Sequence, residues 1–146
     1  MNIYRAHVLI CGGTGCTSSG SKLLQAEFEN RLKENNLEDE IKSVQRGCFG
    51  LCALGPVVVV YPEGAFYSRV KVEDVKEIVE EHLLKGRIVK RLLYSETVEE
   101  DNIKSLNETA FYAKQHRVAL RNCGVINPEN IDEYIAVDGY QALAKA

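Results

Sequence analysis

The sequence predicts a small α/β domain, on three observations. Apolar runs at residues 3–10, 41–45 and 57–61 have the alternating or continuous character of strands. Leu24, Phe28 and Leu32 recur every fourth residue, as on the buried stripe of a helix. Two tight cysteine pairs, each set in glycine, follow the first and second of those runs.

The elements follow in order. Tyr4, Ala6, Val8 and Ile10 alternate and predict a half-buried strand running into Cys11. Ser18 and Ser19 are expected to cap a helix that reaches about Asn35. Ile41–Gln45 reads as a second strand that ends at Gly47-Cys48. The β-branched run Val57–Tyr61 suits a strand buried on both faces. Pro62-Glu63-Gly64 then turns the chain into a partner strand, Ala65–Arg69. Val75, Ile78, Val79 and His82 share one face of a helix that stops before Gly86. The order β-α-β-β-β-α is the layout of a thioredoxin-like α/β domain, expected over residues 1–86.

Residues 87–146 differ in character and predict a partly helical C-terminal extension. A helix is expected over Val98–Asn107, and another starting at Asn127-Pro128. Ile131, Tyr134 and Ile135 form an apolar face too narrow for a core of its own, and Asp138-Gly139 breaks that helix. The last residues, Gln141 to Ala146, form helix without a closing cap, so the chain reads as a piece of a longer protein.

Bulk properties exclude several function classes. A formal net charge of −3, with Lys and Arg spread along the chain, gives no electrostatic footprint for nucleic acid, and Arg87, Lys90 and Arg91 read as a solvated linker. No apolar run approaches the roughly 20 residues of a membrane span. Arg5 and His7 interrupt any export-like N-terminal segment. Five cysteines without such a segment point to a reducing cytoplasm and to metal or redox work.

Cys11-Gly-Gly-Thr-Gly-Cys16 and Cys48-Phe-Gly-Leu-Cys52 supply four thiolates, the ligand complement of a metal centre. Gly12, Gly13, Gly15, Gly47 and Gly50 allow the backbone to approach a bulky anionic cluster and aim N–H groups at its sulfurs. An iron–sulfur centre, of the [2Fe–2S] type, is the leading expectation. A structural Cys₄ zinc site in a non-redox interaction module stays open as the alternative. A thioredoxin-type dithiol is disfavoured, because neither pair has the C-x-x-C spacing. The glycine loop also misses both nucleotide patterns: Ser18 stands where a dinucleotide fingerprint needs glycine, and Ser21-Lys22 reverses the P-loop order. Cys123, in Arg121-Asn122-Cys123-Gly124, and the isolated His7, His82 and His116 are expected to take no part.

The cysteine spacing, with Gly55-Pro56-Val57-Val58-Val59-Val60-Tyr61-Pro62-Glu63-Gly64, resembles the thioredoxin-like [2Fe–2S] ferredoxins. Within them it is most similar to the N-terminal ferredoxin domain of the flavoprotein subunit of NADH-linked [FeFe] hydrogenases. A second resemblance lies in Gln115-His116-Arg117-Val118-Ala119-Leu120-Arg121-Asn122-Cys123-Gly124, Asn127-Pro128-Glu129 and Tyr134-Ile135-Ala136. These residues are similar to the opening segment of the complex I NADH-binding flavoprotein subunit. The resemblance implies a one-electron relay in a cytoplasmic NAD(P)H-linked oxidoreductase complex, with other subunits or domains of that complex as partners. It places FMN, NAD(H) and a [4Fe–4S] cluster only in further domains, so no complete active site is expected in this chain.

Overall fold

The computed structural model describes residues 4–95, 98–99, 102–103, 114–119, 121–122, 126 and 130–146. Strand β1 (Ala6–Cys11) leads into a short helix α1 (Thr14–Ser18) and then the long helix α2 (Ser21–Glu34). Strand β2 (Ile41–Arg46), one 3₁₀ turn (Cys52–Leu54) and the hairpin β3 (Val58–Tyr61) and β4 (Ala65–Tyr67) follow. Helix α3 (Val72–Glu77) continues as a π-helical run through Ile78–Leu84. The sheet order is β2-β1-β3-β4; β1 runs parallel to β2 and antiparallel to β3, and β4 is antiparallel to β3.

The predicted strands and the Leu24, Phe28, Leu32 stripe are all present, and Val75, Ile78, Val79 and His82 are all buried. The first helix departs from expectation. A short helix not expected there, α1, precedes it, and Gly20, at a left-handed φ of 96°, separates the two and takes the N-cap position of the long one, so the order is β-α-α-β-β-β-α. Ser18 and Ser19 are not caps of the long helix. Ser19 closes α1 instead, its Oγ donating to the Gly15 carbonyl at 3.0 Å.

Strand β1 is buried on both faces rather than one. Ala6, Val8 and Ile10 join Leu24, Phe28, Val75 and Ile78 in the core under the helices. On the opposite face Leu9 and Cys11 pack with Val44, Val57, Val59 and Phe66. That second face is covered by the cysteine-bearing segment itself, through Phe49, Leu51 and Leu54, and by Tyr94. Phe66 makes edge contacts with Phe49 and Tyr94, at ring separations of 6.5 and 5.9 Å. The sheet thus has a helical layer on one side and the cysteine loops on the other.

Residues 88–94 continue the packed unit beyond Gly86. Val89 and Leu92 are buried, Leu93 bridges to Tyr67, and the Tyr94 N–H donates to the Phe66 carbonyl, which closes the β4 edge. The buried Tyr67 hydroxyl ties three segments together. It accepts from the Val89 N–H at 3.2 Å and lies 2.7 Å from His82 Nδ1. Burial pushes the Tyr67 hydroxyl up to about 12 and the His82 imidazole down, so both are neutral at physiological pH. Arg91 pairs with Asp74 and Glu77, and Arg87 with Glu81, so both arginines of the basic stretch are matched by acids of the same unit.

In the extension, the helix expected over Val98–Asn107 is not formed by its described residues. Val98–Glu99 and Asn102–Ile103 are two antiparallel strands, β5 and β6, as suits the β-branched Val98 and Ile103; residues 104–107 lie outside the described residues. Helix α4 (Ile131–Ala136) is capped by Asn130, whose Oδ1 accepts from the Asp132 N–H at 3.0 Å. Asn127 and Pro128, the expected start, lie outside the described residues. Asp138 and Tyr140 both adopt positive φ and end α4 before α5 (Gln141–Lys145). Ile131, Ile135 and Leu143 are exposed.

A chain ended at Gly86 loses Val89 and Leu92 from the core. It should be less stable than one ended at Ser95 by roughly 3–6 kcal/mol, at about 1.5–3 kcal/mol for each buried side chain. Urea unfolding of the two chains measures the difference; equal midpoints would mean that residues 87–95 add nothing to the fold.

Candidate metal centre

Both cysteine loops leave the same end of the sheet. Parallel pairing sets Cys11, the last residue of β1, opposite Arg46, the last of β2, so the segments that follow emerge side by side. The Gly12 N–H then donates to the Arg46 carbonyl at 2.8 Å and stitches the loops together. Helix α1 carries Cys16 back under the loop and buries it, while the 3₁₀ turn at Cys52–Leu54 leaves Cys52 exposed. Cys11 is buried and Cys48 half-buried.

The structure brings the four sulfurs together as two adjacent pairs. Cys48 Sγ and Cys52 Sγ are 3.9 Å apart, and Cys11 and Cys16 are neighbours buried in one cluster, close enough for Cys16 to raise the Cys11 pKa. The pairs face one another across loop backbone. A methyl group at Gly13 would sit 2.9 Å from Cys48 Sγ, and one at Gly15 would be 3.8 Å from Cys52 Sγ. Only glycine at position 13 permits that approach. Among the described residues no three donors converge on a point as a single ion would require, whereas two facing pairs suit a binuclear group.

The expected amide donors are partly present. The Gly50 N–H donates to Cys48 Sγ at 3.2 Å, and the backbone amides of Phe49 and Gly13 lie near enough to Cys11 to pull its thiol toward the thiolate. Gly50 reaches that geometry with φ of 85°, a left-handed turn open to glycine. The Gly12 N–H is used by Arg46 instead, and Gly47 spaces Arg46 from Cys48.

Sequence reasoning missed two contributors. Phe49 was unremarkable by composition, yet it supplies both an amide to Cys11 and a ring to the second core. Gly55 was noted only within the family pattern. Here a methyl group on it would lie 2.7 Å from Cys16 Sγ, so Gly55 lets the chain pass directly over that sulfur. Its position just before Pro56 and the third strand was the available signal. Cys123 lies outside the described residues. Of the histidines, His82 is engaged with Tyr67, His7 packs against the Tyr4 ring at 5.8 Å, and His116 is exposed.

Electrostatics favour protonated thiols while no metal is bound. Burial pushes the Cys11 thiol up to about 11, against the pull of the two amide donors, and neighbouring Cys16 raises it further. Cys52 is raised chiefly by its hydrogen bond to Cys48. A metal must therefore displace protons to bind here, which makes the site selective for a group that competes strongly for thiolate.

The chain is similar to several known proteins. The family model of thioredoxin-like [2Fe–2S] ferredoxins matches residues 2–83. The chain is 46% identical over 77 residues to a 2Fe–2S ferredoxin of Clostridium pasteurianum, spanning 53% of this chain and 76% of that protein. A Priestia megaterium protein with a provisional 2Fe–2S ferredoxin name is 30% identical over 144 residues, or 99% of this chain and 94% of that one. A solved thioredoxin-like [2Fe–2S] ferredoxin from Aquifex aeolicus has a TM-score of 0.58 at 37% identity, over 64% of this chain and 93% of that chain. A short stretch of 32 residues is 66% identical to the HndC subunit of an NADP-reducing hydrogenase from Solidesulfovibrio fructosivorans, which is 22% of this chain and 6% of that subunit.

The raised Cys11 pKa predicts a pH dependence for the metal-free chain. Folding favours the protonated thiol, so its contribution is complete below the ordinary thiol range and is lost as pH climbs through about 11. Between roughly pH 8 and 11 the chain should lose about 1–3 kcal/mol more than Cys11→Ala does. Parallel unfolding profiles for the two chains would rule out Cys11 as the source.

Proposed function

The chain belongs to the thioredoxin-like [2Fe–2S] ferredoxin family and is an electron-transfer domain, and on that premise we propose that Cys11, Cys16, Cys48 and Cys52 hold its cluster. The observation that carries the assignment is the meeting of two sulfur pairs, 32 positions apart in sequence between Cys16 and Cys48, through backbone that touches sulfur. The bound cluster supplies one-electron redox chemistry at thiolate-held iron. With the family's cofactor a [2Fe–2S] cluster, the structural-zinc alternative falls away.

The chain's own residues set the conditions for that chemistry. Gly13, Phe49 and Gly50 offer N–H groups to sulfurs, which offset negative charge and favour the reduced state. Phe49, Phe66 and Tyr94 exclude water from the Cys11 side, while Cys52 stays open to solvent. Buried and exposed sulfurs at opposite sides of one centre give electrons a short route to the surface.

The finer reading is a relay within a multi-subunit NAD(P)H-linked oxidoreductase, a hydrogenase of the kind that the resemblance implies, working in the cytoplasm. Residues 1–86 form the core of the relay in this reading, and 87–146 carry the linker and the opening segment of a flavoprotein domain. The short stretch shared with the hydrogenase subunit supports it. No helix among the described residues is long and apolar enough to cross a membrane. A flavin domain would be needed to divide the two electrons of NADH into single steps.

Purified chain should contain about two irons and two sulfides and give a rhombic EPR signal on reduction. One zinc without sulfide would refute the ligand proposal. Cys48→Ser should lose or spectrally alter the cluster, since a hydroxyl is a harder and poorer ligand, whereas Cys123→Ser should leave it unchanged. Gly13→Ala should lower cluster content severalfold, because its methyl group displaces Cys48 Sγ. Full occupancy in that variant would show that the loop approach is dispensable.

A further inference from the structure

The cluster end of the molecule has an unusual distribution of charge. No charged residue occurs at positions 8–21 or 47–62, the two segments that bear the cysteines. The end they form is bordered by cations: Lys22 opens α2, and Arg69 and Lys71 return from the hairpin. All three are exposed, and none forms an ion pair among the described residues. Arg87 and Arg91, by contrast, are matched by acids. Among the residues lining the groove beside Arg69 and Lys71, Glu73 is the single acid, in a chain of net charge −3.

Between these cations lies a groove of about 440 Å³. Leu23 and Val72 form its exposed apolar walls, at 66% and 38% exposure, and Gly55 and Pro56 form its floor. The floor is the same backbone that passes over Cys16 Sγ. Arg69 is held at the rim in a left-handed conformation, φ 52°, by N–H donation from Arg69 to the Leu54 carbonyl at 2.8 Å. A non-glycine residue rarely adopts that conformation, so the hairpin maintains a guanidinium there at a cost in strain.

We propose that this groove is the docking face for a redox partner protein with an acidic surface around an apolar contact, and that electrons pass through Gly55 and Cys16. The proposal rests on the ferredoxin reading above. An apolar centre with a charged rim is the anatomy of a transient interface, and unpaired cations steer an acidic partner without binding it tightly. The groove floor touches a proposed ligand sulfur, so a side chain seated there comes as near the cluster as any protein surface can on this side.

The test uses the full chain with its cluster, reduced, and two oxidised protein probes: flavodoxin, which is acidic, and cytochrome c, which is basic. Electron transfer to flavodoxin should be faster and should slow as ionic strength rises. The triple variant Lys22→Glu, Arg69→Glu and Lys71→Glu should slow it at least tenfold and leave cytochrome c at least as fast. Leu23→Ser with Val72→Ser should slow flavodoxin at least threefold at any ionic strength. Reduction potential and visible spectrum, measured on each variant, should match the parent. Unchanged flavodoxin rates in both variants would overturn the docking face. Slower rates that track a shifted potential would also overturn it, since the cations would then act on the cluster and not on a partner. Loss of the cluster from the unsubstituted chain would refute the ferredoxin reading instead, so the two failures are separable.

Discussion

Contact between backbone and sulfur organises this molecule. Gly13 lies against Cys48 Sγ and Gly55 against Cys16 Sγ, at separations that leave no room for a Cβ. Those contacts require the loops after β1 and β2 to leave the sheet side by side, which the parallel register of Cys11 with Arg46 provides. They also require the chain to return to the same end before β3, which fixes where the segment from Phe49 to Pro56 can run. Much of the sheet's topology is therefore a condition on the position of four sulfurs.

Packing and chemistry share the same residues here. The segment between Cys48 and Gly55 is both a loop at the site and the cover for the second face of the sheet, through Phe49, Leu51 and Leu54. Exposing the buried Phe49 alone would forfeit roughly 1.5–3 kcal/mol, and half-buried Leu51 and Leu54 add to that, so the loop stays folded down. Rigidity at the sulfurs follows. Small motion around a redox centre lowers the reorganisation needed when charge arrives, and amide donors already aimed at sulfur add to that readiness.

The helical face of the sheet is built differently. Tyr67, His82 and Val89 form a buried polar link that joins the hairpin, the π-helical run and the segment after Gly86. Arg46 reaches Glu133 of α4 at 2.7 Å, from a buried position beside the cysteine loop. The extension is thus tied electrostatically to the strand that delivers Cys48, while its apolar residues Ile131, Ile135 and Leu143 stay exposed. Charge differs between two sides of the cysteine loops: Lys22, Arg69 and Lys71 form no ion pair among the described residues, whereas Arg46 is matched by Glu133.

Local pattern in the sequence was enough to establish the strands, the Leu24–Phe28–Leu32 stripe and the helix face from Val75 to His82. Each of these is written in the spacing of neighbours a few positions apart, which is the range over which backbone period acts. The short helix α1 escaped because Thr14–Ser18 carries no apolar stripe of its own, and its separation from α2 rests on the φ of 96° at Gly20. The covering of the second sheet face, the closing of the β4 edge by residues 92–94 and the role of Gly55 were also invisible to periodicity. All three depend on which residues meet across long stretches of chain, such as Leu93 with Tyr67 or Gly55 with Cys16. Composition and spacing by themselves set four cysteines in two short pairs among glycines. Tertiary structure alone decided that they stand as facing pairs, one sulfur buried under Gly55 and another open to solvent, because distances between loops are set by sheet register and packing rather than by the order of residues.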